Sequence, residues 1–213
     1  MRTPTTRRTT LASVGLAGTL VATGAAGLLA QDEAAPVGEP VVVSFDFEAD
    51  AQGWVPIVVD LPDGYDPDVG GLAPATEYLV EGTLVMASNM PGEIADEPNS
   101  PAEVYVKLGA IDREPEAIVD DEGWLRLNAD KGAEAEGGRD AVVLGTIANP
   151  ELERGEDFRT FALHELSTDE PVRPLSATST DDGALWLFMG TDSGYPGFTT
   201  QFYDAVEMTF TPQ

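Results

Sequence analysis

The sequence has no cysteine, one histidine and only two lysines among 213 residues. Without cysteine there is no disulfide framework, thiolate metal site, cysteine nucleophile or lipid-modified N-terminal cysteine. A single histidine, His164, excludes a histidine-rich zinc site and leaves any serine nucleophile short of a base at a known spacing. Ser193, in "GTDSGYPG", is therefore expected in a tight loop where Asp192 and Ser193 hydrogen-bond the backbone and Gly194 supplies an unusual φ. Long stretches with a 3.6-residue apolar period are also missing, which removes helical bundles and α/β folds.

What is present is acid. The chain has 38 Asp and Glu against 11 Lys and Arg, a formal net charge of −27. Three of the arginines and none of the acids lie in the first thirty residues, so the remainder carries −30. Such a surface repels nucleic acid and anionic lipid. A carboxylate-rich, lysine-poor surface suits solubility in high salt, and a halophilic source is the expectation.

The first thirty residues read as an export signal, because arginines precede an Ala/Gly/Leu-rich apolar run. Arg7 and Arg8 resemble the pair of a twin-arginine signal, although Thr10 stands where an aromatic is usual. The run Leu11 to Ala30 is also about long enough to span a bilayer, so cleavage and retention as an N-terminal anchor both stay open. The expected localisation is extracellular or cell-envelope, with no membrane contact beyond that anchor. Residues 31–40 form an acidic Pro/Gly linker, and residues 41–213 one domain.

From Val41 onward the apolar period is two. Val41, Val43, Phe45 and Phe47 alternate with Val42, Ser44, Asp46 and Glu48, and the same pattern recurs in "AEVYVKLGA" and "GWLRLNAD". Further strands are expected near residues 77–88, 140–147, 158–166, 184–189 and 199–211. Clusters such as "DLPDGYDPDVGG" and "NMPGEIADEPNSP" carry loop chemistry. Short strands separated by turn signals predict an all-β fold, an antiparallel β-sandwich of jelly-roll type.

"FDFEADAQGW" resembles the opening strand and turn, and "FYDAVEMTF" the closing strand, of galactose-binding-like jelly rolls, which include many carbohydrate-binding modules. The pieces "VYVKLGA", "NADKGAEAEGGRDAVVLG" and "LWLFMGTDSGYPGFTTQFYDAVEMTF" resemble uncharacterised secreted bacterial β-sandwich proteins, a likeness that implies a fold and no activity. In the last strand Phe202, Asp204, Val206, Met208 and Phe210 share a phase, so a carboxylate falls among apolar residues and needs a donor or a cation. The jelly-roll resemblance implies a structural calcium held by Asp204 and an opening acid, Glu48, with Asp46 or Asp50 as substitutes; otherwise Asp204 is salt-bridged or hydrogen-bonded. Calcium accepts both carboxylate and carbonyl oxygens.

Trp54 and Trp186 are expected in the core. Trp124 differs, because it shares a strand face with Arg126 and Asn128. A tryptophan beside a guanidinium and an amide is the composition of a sugar-stacking surface, to which Tyr105 and Lys107 can contribute from a neighbouring strand. Trp124 capping an edge or packing under a loop is the competing reading, and Tyr195 and Phe198 are second candidates at a loop end. "NADKGAEAEGGRDAV" is expected to be a mobile hairpin connection. The function expected is a secreted noncatalytic binding module, with polysaccharide or cell-surface glycan the leading ligand. The alternatives are an envelope-associated structural protein without a small ligand and, third, a lyase or hydrolase on the same fold.

Overall fold

A computed structural model describes residues 38–48, 50, 55–58, 62–66, 71–92, 100–155, 159–168, 174–195 and 197–213. The export segment, most of the linker and Trp54 lie outside the described residues, and of 51–70 only backbone pairing is given. Among the described residues there is no α-helix; a 3-10 turn spans Pro101–Glu103. No helix there is long and apolar enough to cross a membrane.

The strands are β1 (Val41–Asp46), β2 (Val55–Val58), β3 (Pro62–Asp66), β4 (Glu77–Ser88), β5 (Met90–Pro91), β6 (Tyr105–Ile111), β7 (Ala117–Val119), β8 (Leu125–Leu127), β9 (Ala141–Thr146), β10 (Ala148–Asn149), β11 (Ala162–Ser167), β12 (Leu175–Thr178), β13 (Trp186–Asp192) and β14 (Gln201–Pro212). Ten of them form two five-stranded antiparallel sheets, while β7 pairs with β8 antiparallel and β5 with β10 in parallel. The first runs β1-β14-β4-β11, with β12 also on β4; the second runs β2-β3-β13-β6-β9. The all-β antiparallel class is the one the alternation predicts. One stretch departs from its loop chemistry: Pro62–Asp66 forms β3, whose partner β13 imposes strand geometry through tertiary pairing.

One core lies between the sheets. Tyr78, Val80, Leu84 and Met86 of β4 and Val206, Met208 and Phe210 of β14 meet Val106 and Leu108 of β6 and Leu187 and Met189 of β13. Tyr78 and Phe210 pack edge to face at 6.2 Å, and the Tyr78 hydroxyl accepts from the Ala73 amide at 2.8 Å, so the buried polar tip is satisfied. β1 shows the predicted alternation, with Phe45 buried and Val42, Ser44 and Asp46 exposed.

β14 corrects the phase reading. Its pairing with β4 shifts between Tyr203 and Ala205, a bulge centred on Asp204. The extra residue reverses the alternation upstream of it. Val206, Met208 and Phe210 still point inward, while Phe202 is 56 % exposed and Tyr203 packs against the core. Asp204 therefore leaves the apolar row, and its carbonyl accepts from the Phe47 amide at 2.8 Å.

The outer face of the second sheet is also covered. Ile111, Ala141 and Phe188 form a second small apolar cluster with Leu127 of β8, so the β7-β8 hairpin lies over this sheet, and Trp186 is half-buried against the cluster. Gly109 makes the approach possible: a Cβ there would meet Phe188 Cζ at 2.1 Å and the Asp140 carbonyl at 2.6 Å.

Candidate binding site

The turn "DDEG" joins β7 to β8. The Asp120 carboxylate holds it, accepting from the Glu122 and Trp124 amides through Oδ1 and from Arg126 Nε through Oδ2. Gly123, at φ +87, supplies the left-handed residue that brings its amide to the Asp120 carbonyl. The Trp124 amide, with help from Arg126, holds the Asp120 carboxyl below the usual range against the opposing effect of burial. A short, solvent-facing hairpin is thereby fixed by one acidic side chain.

Trp124 is 62 % exposed on that hairpin, and the strand period places Arg126 on the same face. Asn128 is committed to local structure: its Oδ1 accepts from the Glu116 amide and its Nδ2 donates to the Glu114 carbonyl. Its own carbonyl accepts from Arg113 Nε and Nη2.

Residues 129–140 form a closed loop instead of an untethered hairpin connection. Asp130 and Asp140 clasp its ends. The Asp140 amide donates to the Asp130 carbonyl, the Asp130 amide to the Asp140 carboxylate, and the Arg139 amide to the Asp130 carboxylate. Arg139 also bonds the Asp140 carboxylate through Nε and Nη2. Burial works to raise the Asp140 carboxyl, but these donors outweigh it and hold it low. Gly138 allows the clasp, since a Cβ there would fall 2.1 Å from the Asp130 carbonyl oxygen.

Lys107 sits beneath this loop at 2 % exposure. Its ammonium donates to the Lys131 carbonyl at 2.9 Å, the Glu136 carbonyl at 3.0 Å and Asp192 Oδ2 at 2.9 Å. Three acceptors match the three protons of an ammonium, so the loop is wrapped around one charge. Tyr105 and Lys107 do line the outer face of the second sheet, but Lys107 is enclosed and does not share an open surface with Trp124.

Asp192 is the hub that the sequence reading missed. Its Oδ2 accepts from Lys107, from Lys131 Nζ at 3.0 Å and from the Glu134 amide at 3.0 Å. The two lysines of the chain thus converge on one carboxylate, although 24 residues separate them in the sequence. Burial tends to raise the Asp192 carboxyl, and the two ammoniums overcome it and hold it ionised. For Lys107 burial dominates and lowers the ammonium, against the hydrogen bond and charge of Asp192, which raise it. Glu134 adopts φ +46, a left-handed geometry unusual outside glycine, held by the hydrogen bond its amide donates to Asp192 Oδ2.

The Ser193 loop fits the structural expectation in part. Ser193 Oγ accepts from the Tyr195 amide at 2.8 Å. Gly194 does not adopt a positive φ, and a Cβ there would meet only the movable end of the Glu134 side chain, at 2.8 Å from Oε1. Tyr195 packs partly against the core, while Phe198 is fully exposed.

An open cavity of about 310 Å³ lies between hairpin and loop, lined by Arg126, Leu127, Ala129, Asp130, Lys131, Gly132, Ala133 and Asp192. It joins the exposed tryptophan strand to the Lys131–Asp192 pair. The remaining expected site, Asp204 with Glu48, lies elsewhere, at the bulge of β14 and just beyond β1. Glu48 is exposed, its amide bonded to Asp46 Oδ1. Among the described residues no group of three or more acidic or histidine side chains is placed to hold a metal ion. No family model, curated protein or solved structure matches this chain.

Proposed function

We propose that the chain is an exported, noncatalytic carbohydrate-binding module whose two sheets are a jelly roll of the galactose-binding-like kind. The pairing of the first strand, β1, with the last, β14, supports that topology. The observation that carries the function is Trp124. It is 62 % exposed, fixed by the Asp120 turn, and shares its strand face with Arg126, which lines the adjoining cavity. An aromatic ring presented rigidly stacks on the apolar face of a pyranose at little entropic cost, and the guanidinium and the polar cavity wall bond its hydroxyls. Asn128 contributes by holding the hairpin base, Tyr105 by its place on the covered sheet face, and Lys107 by fixing the cavity loop. The charged groups near the cavity are paired with one another, which suits recognition of a neutral glycan better than general-base or nucleophilic chemistry.

The calcium implied by the jelly-roll resemblance would use Asp204 and Glu48. Two carboxylates fall short of the roughly six to eight oxygens that calcium takes, so backbone carbonyls and water would complete its shell. Equal melting temperatures in calcium and in excess chelator would dismiss the ion.

A glycan array on the domain, run beside Trp124→Ala, tests the function. Saturable binding that the variant loses supports the module. Folded protein that binds no glycan refutes it and favours a structural role.

A further inference from the structure

The outer face of the first sheet, on the far side of the core from Trp124, changes character along its length. At one end Leu163 of β11 and Phe202 of β14 flank Ala87 of β4 in register, and they are 54 % and 56 % exposed. Phe161 packs edge-on against Phe202 at 5.1 Å. This apolar end exists because the Asp204 bulge turns Phe202 outward; with uninterrupted alternation it would have joined the core row of Val206. Bulges that re-aim a side chain in this way occur beside functional surfaces.

Farther along the same face lies a shallow depression of about 240 Å³ bordered by Glu81, Thr83, Thr168, Glu207 and Thr209. Thr83 pairs with Glu207 and Glu81 with Thr209, so the two glutamates are diagonal neighbours across β4 and β14. Diagonal like charges about 7–8 Å apart repel, and hydroxyls around them offer neutral hydrogen bonds. The apolar row and the Thr83–Glu207 row are four residues apart along β4, about 14 Å at strand rise.

We propose that this face docks an extended segment of a partner protein, with apolar side chains at one end and arginine or lysine beginning four residues away. Charge complementarity selects that occupant. A second copy of this chain would set Glu207 and Glu165 against their own kind in a domain that carries −30. An extended strand presents residues i and i+4 on one side, so one segment reaches both the apolar row and the glutamates. The contact gains from burying the Phe202 and Leu163 surfaces and from ion pairing that relieves the glutamate repulsion.

The test uses a labelled peptide, Phe-Thr-Leu-Thr-Thr-Thr-Arg-Thr-Arg, and fluorescence anisotropy on the full domain. Saturable binding is expected, weakened about tenfold by Leu163→Ser with Phe202→Ser, and about tenfold by Glu81→Gln with Glu207→Gln. The apolar residues and Glu207 are exposed, and a melting curve for each variant confirms that it folds. Equal affinity in the Leu163→Ser/Phe202→Ser variant would reduce the effect to general attraction to an acidic protein and overturn the proposal. So would the absence of saturable binding. A concentration-dependent dimer in sedimentation that Phe202→Ser abolishes would assign the face to a second copy, which also overturns it.

Discussion

Replacing Lys107 with methionine keeps most of the side-chain volume and deletes the charge inside the 129–140 loop. Two carbonyls, of Lys131 and Glu136, then lose a donor, and Asp192 loses one of its two ammoniums. Orphaning a buried acceptor costs about 1–3 kcal/mol, and removing one member of a buried ion pair about 3–5 kcal/mol. Lys131 remains on Asp192 and limits the electrostatic part, so the expected loss is about 3 kcal/mol. For a domain of this size that lowers Tm by about 6–12 °C. Urea melts at fixed ionic strength read it directly, as a shifted midpoint at unchanged slope. Lys131→Met should cost only about 1 kcal/mol, because Asp192 keeps the Lys107 ammonium and the Glu134 amide as donors. A loss below about 1 kcal/mol for Lys107→Met would mean that burying the ammonium costs as much as its three bonds return. The account of Lys107 as the charge around which the loop is wrapped would then be wrong.

Gly109→Ala should destabilise by about 1–3 kcal/mol, since its Cβ would collide with the buried Phe188 ring and the Asp140 backbone; a neutral result in the same urea assay would show that the hairpin layer gives way freely. His164 is 8 % exposed, with no hydrogen-bond partner at Nε2, and burial lowers its basicity. The unfolded chain therefore takes up a proton at about pH 6.5 that the native state refuses, so this contribution to stability is full above that pH and is lost as pH falls toward the lowered native value. His164→Leu should flatten that part of the stability profile and cost nothing at neutral pH; an unchanged pH dependence would refute it. Asp120→Ala should weaken glycan binding at least as much as it disturbs stability, because it frees the turn that presents Trp124; calorimetric titration showing unchanged affinity would separate Trp124 from its turn.

The strand pattern was legible because a half-buried strand writes its two faces into alternate residues, and β1 obeys that rule residue by residue. β14 did not, because a bulge inserts one residue without any change in composition, and only the shifted pairing with β4 reveals that Phe202 faces out. Asp204 looked like a buried carboxylate for the same reason. In the candidate site, the tryptophan-arginine spacing was visible, since Trp124 immediately precedes β8, which carries Arg126. The fate of Lys107 was not. Its alternation marks it as polar-facing, and whether a polar-facing residue meets water or a covering loop depends on segments distant in sequence.

Sequence by itself determined the class of the fold and the chemistry of its surface: period-two alternation, turn residues and a large excess of carboxylates are local properties that no folding decision alters. Tertiary structure decided which polar residues are interior. The loop at 129–140 closes over β6 only because Asp130 meets Asp140 and because Lys107, Lys131 and Asp192, from three separate stretches, satisfy one another there. Contacts between residues far apart in sequence leave no period to read, so their partners emerge only when the chain brings them within hydrogen-bonding distance.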